Sequence, residues 1–421
     1  MPKRSAVAEL RELAKDWRDA LPEMLAERIA ALGSAVATPA RATHVIYWMR
    51  AAPRGHENPA LDAALAAAEH LGLPTYVFHG LSPQPLFSSP RRLDFALDAA
   101  RDVSSELAAR GIPYAVHVVR RGDKARPLAS LLRGAALLVT ELAPLEPERG
   151  WVTALAAQST PLWCVDASSA VPIAYAPRAP LALHRYREQT REERLARLLR
   201  PWRDLAPRAP IAPPRWPFEP TDLAPSSRAA LHEECALLGR ETATSAGGAT
   251  AGYALWSTWK SSGLRAWPQL RRDPNALDGA RLAQLLDAGH LSPRKLARDA
   301  ALAGNAGAKR WLLDHIVRGD HAAALAERLE PARATIELQG AKIPAALHDH
   351  GVLPRAARWI WLRSLLRQLA PAAAEALVAS ALARFATSGP SPRELAEIRA
   401  WRSRRSAVEI EPGLAEEAPA P

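Results

Sequence analysis

Between residues 44 and 167 the chain alternates short apolar runs with longer amphipathic stretches, and after residue 227 that alternation stops. HVIYWM (44–49), PTYVFHG (74–80), PYAVHVVR (113–120), AALLVTEL (135–142) and PLWCVDA (161–167) each read as a buried strand. Among them, ALDAALAAAEHLG (60–72) and RLDFALDAARDVSSELAARG (92–111) space their apolar residues three and four apart, as helices do. Gly72 marks the end of the first. Further helices are expected before residue 135 and after Trp151. Strand and helix alternating at this spacing predict a doubly wound parallel sheet, because parallel neighbours need a crossover that can hold a helix.

Around that segment the character changes. Residues 1–40 read as a helical lead-in, from AVAELRELAKDW and LPEMLAERIAALG. Residues 41–175 hold the α/β unit, and 176–226 are rich in proline and read as a linker draped over a surface. Residues 227–410 read as helices alone, and 411–421 as a disordered tail. The fold class expected is therefore α/β plus all-α. With 421 residues and 48% hydrophobic content, both parts can bury a core.

Only two cysteines occur, Cys164 and Cys235, which offer neither a disulfide framework nor metal-ligand spacing. No signal-peptide core opens the chain and no apolar run is long enough to cross a bilayer, so a soluble, cytoplasmic, monomeric protein is expected. The formal charge of +11 suits a polyanionic partner, but the Arg- and Ala-rich, Lys-poor composition of a GC-rich genome explains it equally well. Neither a GxGxxG turn opening a helix, a P-loop, GxSxG nor HExxH is present. His348 and His350 in LHDH read as exposed side chains, not metal ligands. Thirteen tryptophans stand out, with Trp256, Trp259, Trp267, Trp311, Trp359, Trp361 and Trp401 in the helical part. Taken singly each reads first as a core side chain; together they could also line a pocket for a planar ligand, stack on bases or relay electrons.

Several stretches, taken in order, resemble class II cyclobutane-pyrimidine-dimer photolyases of the photolyase/cryptochrome family. VIYWMRAAPRGHENPAL resembles the family's opening strand and its Asp-Asn-x-Ala-Leu stretch. RRLDFALDAA, LLVTELAPL and VDASSAVP resemble its next segments; GLRAWPQLRRDPN, LDAGHLSPRKLA and RAARWIWLRSLL resemble its helical half. The resemblance implies a Rossmann-like antenna domain, with an antenna chromophore, followed by a helical FAD-binding domain. It also implies light-driven splitting of pyrimidine dimers flipped out of DNA. Carried over by position, Trp267, Arg271, Leu282, Arg318 and Arg358 are the implied flavin contacts. Asp314 takes the place of a glutamate that bonds the flipped bases, and Trp361 that of an electron-relay tryptophan.

Departures accompany these matches. Ala283, Gln284 and Leu285 replace the Ser-Pro-Tyr that wraps the flavin phosphates, Gly340 and Gln368 replace relay tryptophans, and Ser168 and Ser169 replace a His-Asn pair in the antenna domain. Ser388–Arg393 replaces an Asp- and Asn-rich FAD segment. Two alternatives to repair therefore stand: a DNA-binding or light-sensing protein on this scaffold, and a relative recruited to small-molecule chemistry.

Overall fold

The computed structural model describes residues 21–32, 42–82, 89–142, 148–158, 160–176, 182–237, 246–326, 344–386 and 391–403. Six strands, β1 (Ile29–Leu32), β2 (His44–Met49), β3 (Thr75–Leu81), β4 (Tyr114–Val118), β5 (Ala135–Glu141) and β6 (Leu162–Val165), form one sheet. Their order is β1-β6-β5-β2-β3-β4, parallel from β6 to β4. The chain reverses its winding direction between β2 and β5, as doubly wound sheets do.

All seven positions of β5 are buried, which is why it opens on five apolar residues in a row and not on an alternation. One face of the sheet packs Val45, Tyr47, Met49 and Val139 under the helix Pro59–Leu71. The other packs Ile46, Trp48, Phe78 and Leu138 against Leu131 and Val152. Each such side chain stabilises the fold by about 1.5–3 kcal/mol relative to exposure. Asn58 starts the covering helix: its Oδ1 accepts from the N–H groups of Ala60 and Leu61, and its Nδ2 donates to Tyr47 Oη and to the carbonyls of Ala52 and Arg54.

Two expectations need correction. In the segment expected as helix before residue 40, only Glu23–Ala26 is helical among the described residues, and Ile29–Leu32 is an antiparallel edge strand against β6. Arg28 explains the switch. Its buried guanidinium donates to the carbonyls of Asp166, Ser169 and Ala170, and this tertiary anchor overrides local helix propensity. Within the expected linker, Leu183–Gln189 and Arg191–Leu198 are helices, built from good helix formers around the buried Tyr186. The proline-rich stretch beyond them does run over the surface. Ile211 N–H bonds Gly111 O, Thr221 N–H bonds Val116 O and Thr221 Oγ1 accepts from Val118, so the edge strand β4 is covered.

Among the described residues no strand follows Val165. Helices Gly248–Leu270, Leu277–Asp287, Pro293–Ala303 and Ala306–Trp311 lead into a wider π-helical segment, Leu312–Val317. Arg318–Ala326, Ala345–His350, Arg355–Leu366, Pro371–Phe385 and Pro392–Ser403 complete the helical part. At the crossing of the first and fourth of these helices, a Cβ on Gly307 would stand 2.0 Å from Leu264 O, so only glycine permits that approach.

Polar contacts stitch the two parts together. Arg54 donates to Gly289 O and Ala167 O, at 2.8 and 2.6 Å. The Glu57 carboxylate accepts from Ser292 Oγ and Arg298, and His56 bridges Glu106 and Tyr253 Oη.

Candidate functional site

A cleft in the helical part is walled by Trp267 and Arg271 at the end of one helix and by Gly279, Ala283, Gln284 and Asp287 on the next. Asp314 and His315 project from the π segment, Gly351–Arg358 forms the far side, and Arg393 and Glu394 close it. The walls bound about 670 Å³ counting the space open to solvent, but the centre of a water molecule has only about 40 Å³ to move in.

Charge dominates the lining. Asp314 Oδ2 accepts from Trp267 Nε1 (3.1 Å), Arg271 Nε (2.8 Å) and Arg310 Nε (3.2 Å), and Oδ1 from Arg318 Nε (3.3 Å). Burial pushes its pKa up, but the charges of Arg355, Arg271, Arg310 and Arg318 prevail and hold it far below the usual carboxylate range. Across the cleft Arg358 bonds Glu394 (2.6 Å) and Glu397 (2.9 Å), Arg355 bonds Glu397 (3.0 Å), and Arg393 bonds Asp287 (2.5 Å). Glu397 is pulled down to about 2: burial opposes this, and Arg355, Arg358 and Arg393 outweigh it.

These pairs leave a remainder. Arg271 Nη2, Arg358 Nε, Gln284 Oε1 and both ring nitrogens of His315 are buried and have no hydrogen-bond partner among the described residues. Each such group costs about 1–3 kcal/mol if nothing fills the gap. His315 is neutral, pushed down to about 3 by burial, with Arg393 adding to it. Two guanidinium donors, a carboxamide acceptor and an imidazole fit the phosphate oxygens, carbonyls and ring N–H of a flavin nucleotide. In chemistry, then, the donor set suits FAD; to seat its ring system, the side chains crossing the narrow interior must part.

Of the residues singled out in the sequence, Trp267, Arg271, Asp314 and Arg358 line the cleft, and Arg318 reaches it through Asp314. Leu282 does not line it. It is buried in a core with Trp256 and Leu285, because the apolar stripe of its helix faces inward and turns Ala283 and Gln284 to the cleft. Trp361 packs among Leu347, Leu353 and Leu382, with no aromatic ring against it among the described residues. Four other tryptophans form a chain that His315 closes into a circuit. Ring centroids run Trp267–Trp259 6.0 Å, Trp259–Trp256 6.0 Å, Trp256–Trp311 5.0 Å, Trp311–His315 4.9 Å and His315–Trp267 4.9 Å. Gln368 is exposed, and Gly340 and Ser388–Pro390 lie outside the described residues. Ser168 and Ser169 shape a turn in which their N–H groups donate to Asp166. Sequence reasoning missed His315, Gln284, Arg310, Arg355 and the clamping role of Arg393. A histidine next to the singled-out Asp314 was the one available signal.

The DNA photolyase family description matches residues 45–174, the α/β part. Over that part the chain is similar to the photolyase/cryptochrome family. It is 28% identical over 267 residues to a deoxyribodipyrimidine photo-lyase of Methanothermobacter thermautotrophicus, covering 63% of this chain and 57% of that one. A deoxyribodipyrimidine photo-lyase of Oryza sativa subsp. japonica is 31% identical over 137 residues, 31% of this chain and 27% of that one. The chain thus matches just over half the length of the first relative and about a quarter of the second. In fold it is similar to a Synechocystis sp. cryptochrome (TM-score 0.66, 15% identity, 86% and 82% of the two chains). It is also similar to a Sulfolobus tokodaii photolyase solved with two FAD molecules (TM-score 0.59, 11% identity, 86% and 83%). The family's architecture, a Rossmann-like sheet domain followed by a helical one, is the architecture of this chain.

Proposed function

We propose that this chain belongs to the photolyase/cryptochrome family and acts as a class II-type deoxyribodipyrimidine photolyase, holding FAD in the helical cleft and acting on DNA that carries pyrimidine dimers. The observation that carries the proposal is the set of buried, unpartnered polar atoms around one cleft, on Arg271, Arg358, Gln284 and His315. Bound FAD would supply an electron to the dimer on excitation by light. The chain's own residues bind and orient. Arg271 Nη2 and Arg358 Nε offer charged donors, and Gln284 Oε1 offers an acceptor. Asp314, kept anionic by its ring of arginines, fixes where the Arg271 guanidinium points, and Glu394 and Glu397 do the same for Arg358. His315, neutral, keeps one ring N–H and one ring lone pair in the cleft. The formal charge of +11 draws in the DNA backbone.

One observation favours a second reading. The interior that admits water centres is about 40 Å³, against about 300–1,000 Å³ for ordinary ligand sites. A scaffold whose ion pairs have closed the cleft would bind DNA without flavin.

An absorption spectrum of the purified chain, with the released cofactor identified and counted, decides between them. Stoichiometric FAD, followed by splitting of thymine dimers under blue light, is expected. Failure to take up FAD from a large excess would sink the repair proposal. Salt-dependent DNA binding by the colourless protein would then establish the scaffold reading.

A further inference from the structure

Away from the cleft, three arginines gather where the sheet part, the proline-rich segment and the helical part meet. Arg28 precedes β1, while Arg294 and Arg298 stand one turn apart on the helix Pro293–Ala303. The Arg28 and Arg294 guanidiniums face the Trp202 ring, at 6.0 and 4.9 Å from its centre. Arg28 and Arg294 are 3% and 5% exposed. Yet Arg28 Nε, Arg294 Nε and Nη1, and Arg298 Nη1 have no hydrogen-bond partner among the described residues. Nearby carboxylates are already used. Glu57 holds Ser292 and Arg298 Nη2, Glu27 holds Arg197, and Asp166 holds three backbone N–H groups and stands 3.9 Å from Arg28 Nη1, so its charge is shared. Burial, with the charge of Arg28 next, pushes Arg294 down to about 9. Several charged donors without acceptors thus gather beside the first two turns of an 11-residue helix, whose N-terminal N–H groups favour negative charge.

We propose that Arg28, Arg294 and Arg298 form a second anion site, which takes a single phosphate group and ties the two halves of the protein together. The chemistry is that of a compact oxyanion: guanidinium forks match phosphate oxygens, and Arg28 and Arg294 are too deeply buried to meet a bulky partner. Free inorganic phosphate and the phosphate of a nucleoside monophosphate share this chemistry. The proposal is independent of whether the cleft holds flavin.

Thermal unfolding of the full chain, titrated with sodium phosphate against sodium chloride at constant ionic strength, tests it. A saturable rise in unfolding temperature with phosphate alone is expected, because a ligand of the folded state stabilises by mass action. Arg294→Met should weaken the apparent affinity about tenfold or more. Arg298→Met, at a partly exposed position, should do the same and decides the matter if Arg294→Met does not fold. A repeat with adenosine 5′-monophosphate separates the sources: a shift with the nucleotide only, lost in the variants, assigns the site to a phosphate monoester. No saturable shift with either probe overturns the proposal. So does a shift that persists in the variants, which would place the anion elsewhere, in the cleft for example.

Discussion

Asn58 and Gln284 carry the same carboxamide, are both buried, and lie in different halves of the molecule. Asn58 uses both ends: its nitrogen donates to three oxygens and its oxygen caps a helix. Gln284 uses one end, donating to Gly351 O, and its oxygen meets nothing among the described residues. Glu141 in the sheet half likewise accepts from Tyr47 Oη and from the N–H groups of Arg50 and Ala52. His315, as deeply placed in the helical half, has both nitrogens idle. A fully paired buried group is part of the frame. Several half-paired ones facing a common space mark a place where something else completes the pairing.

Substitutions can break that contrast. The largest effect is expected from Asp314→Asn, which leaves Arg271, Arg310 and Arg318 facing one another without their anion. Denaturant unfolding should show a loss of about 3–5 kcal/mol; a loss under 1 kcal/mol would mean that the arginines find other partners. Asn58→Ala strips a helix cap and strands buried groups, so about 2–3 kcal/mol should be lost in the same measurement.

His315→Phe sharpens the contrast from the other side. If the idle nitrogens serve only a ligand, the ligand-free variant should be as stable as the parent or more stable by about 1 kcal/mol, while FAD retention falls. A variant destabilised by as much as Asn58→Ala would show that the imidazole is frame after all. Acidification separates the two cases more finely. Folded His315 stays neutral to about pH 3, whereas in the unfolded chain it protonates near 6.5. The unfolded state therefore takes up the extra proton, and stability present above pH 6.5 is lost as pH falls, by about 1.4 kcal/mol per unit. His290, pushed down to about 3 by burial with His79 and Arg54 adding to it, contributes in the same direction. The acid slope should accordingly be shallower in His315→Phe, read from unfolding curves between pH 6.5 and 4.5.

The sheet could be read from the sequence because its strands are runs such as AALLVTEL, buried on both faces and separated by helical periods. Strand β1 could not, since only one of its four residues is buried and its pairing rests on Arg28 reaching residues some 140 positions away. Trp267, Arg271, Asp314 and Arg358, singled out because motif matches fix them by position, do line one cleft. Leu282 was misplaced because a motif match does not say which way a helix faces. Gln284, Arg355 and Arg393 were hidden for another reason: their roles exist only once three separate helices converge.

The π segment Leu312–Val317 carries one residue more than an α-helix would place in the same rise. Deleting a single codon within it would restore ordinary winding and leave the helical turns on either side in nearly the same register. Arg310 and Arg318 each stand four residues from Asp314, so such a deletion shortens one of the two spacings to three and leaves the other unchanged. The helix would survive the event with its charges re-aimed, so the segment is a place where the cleft can be retuned one residue at a time.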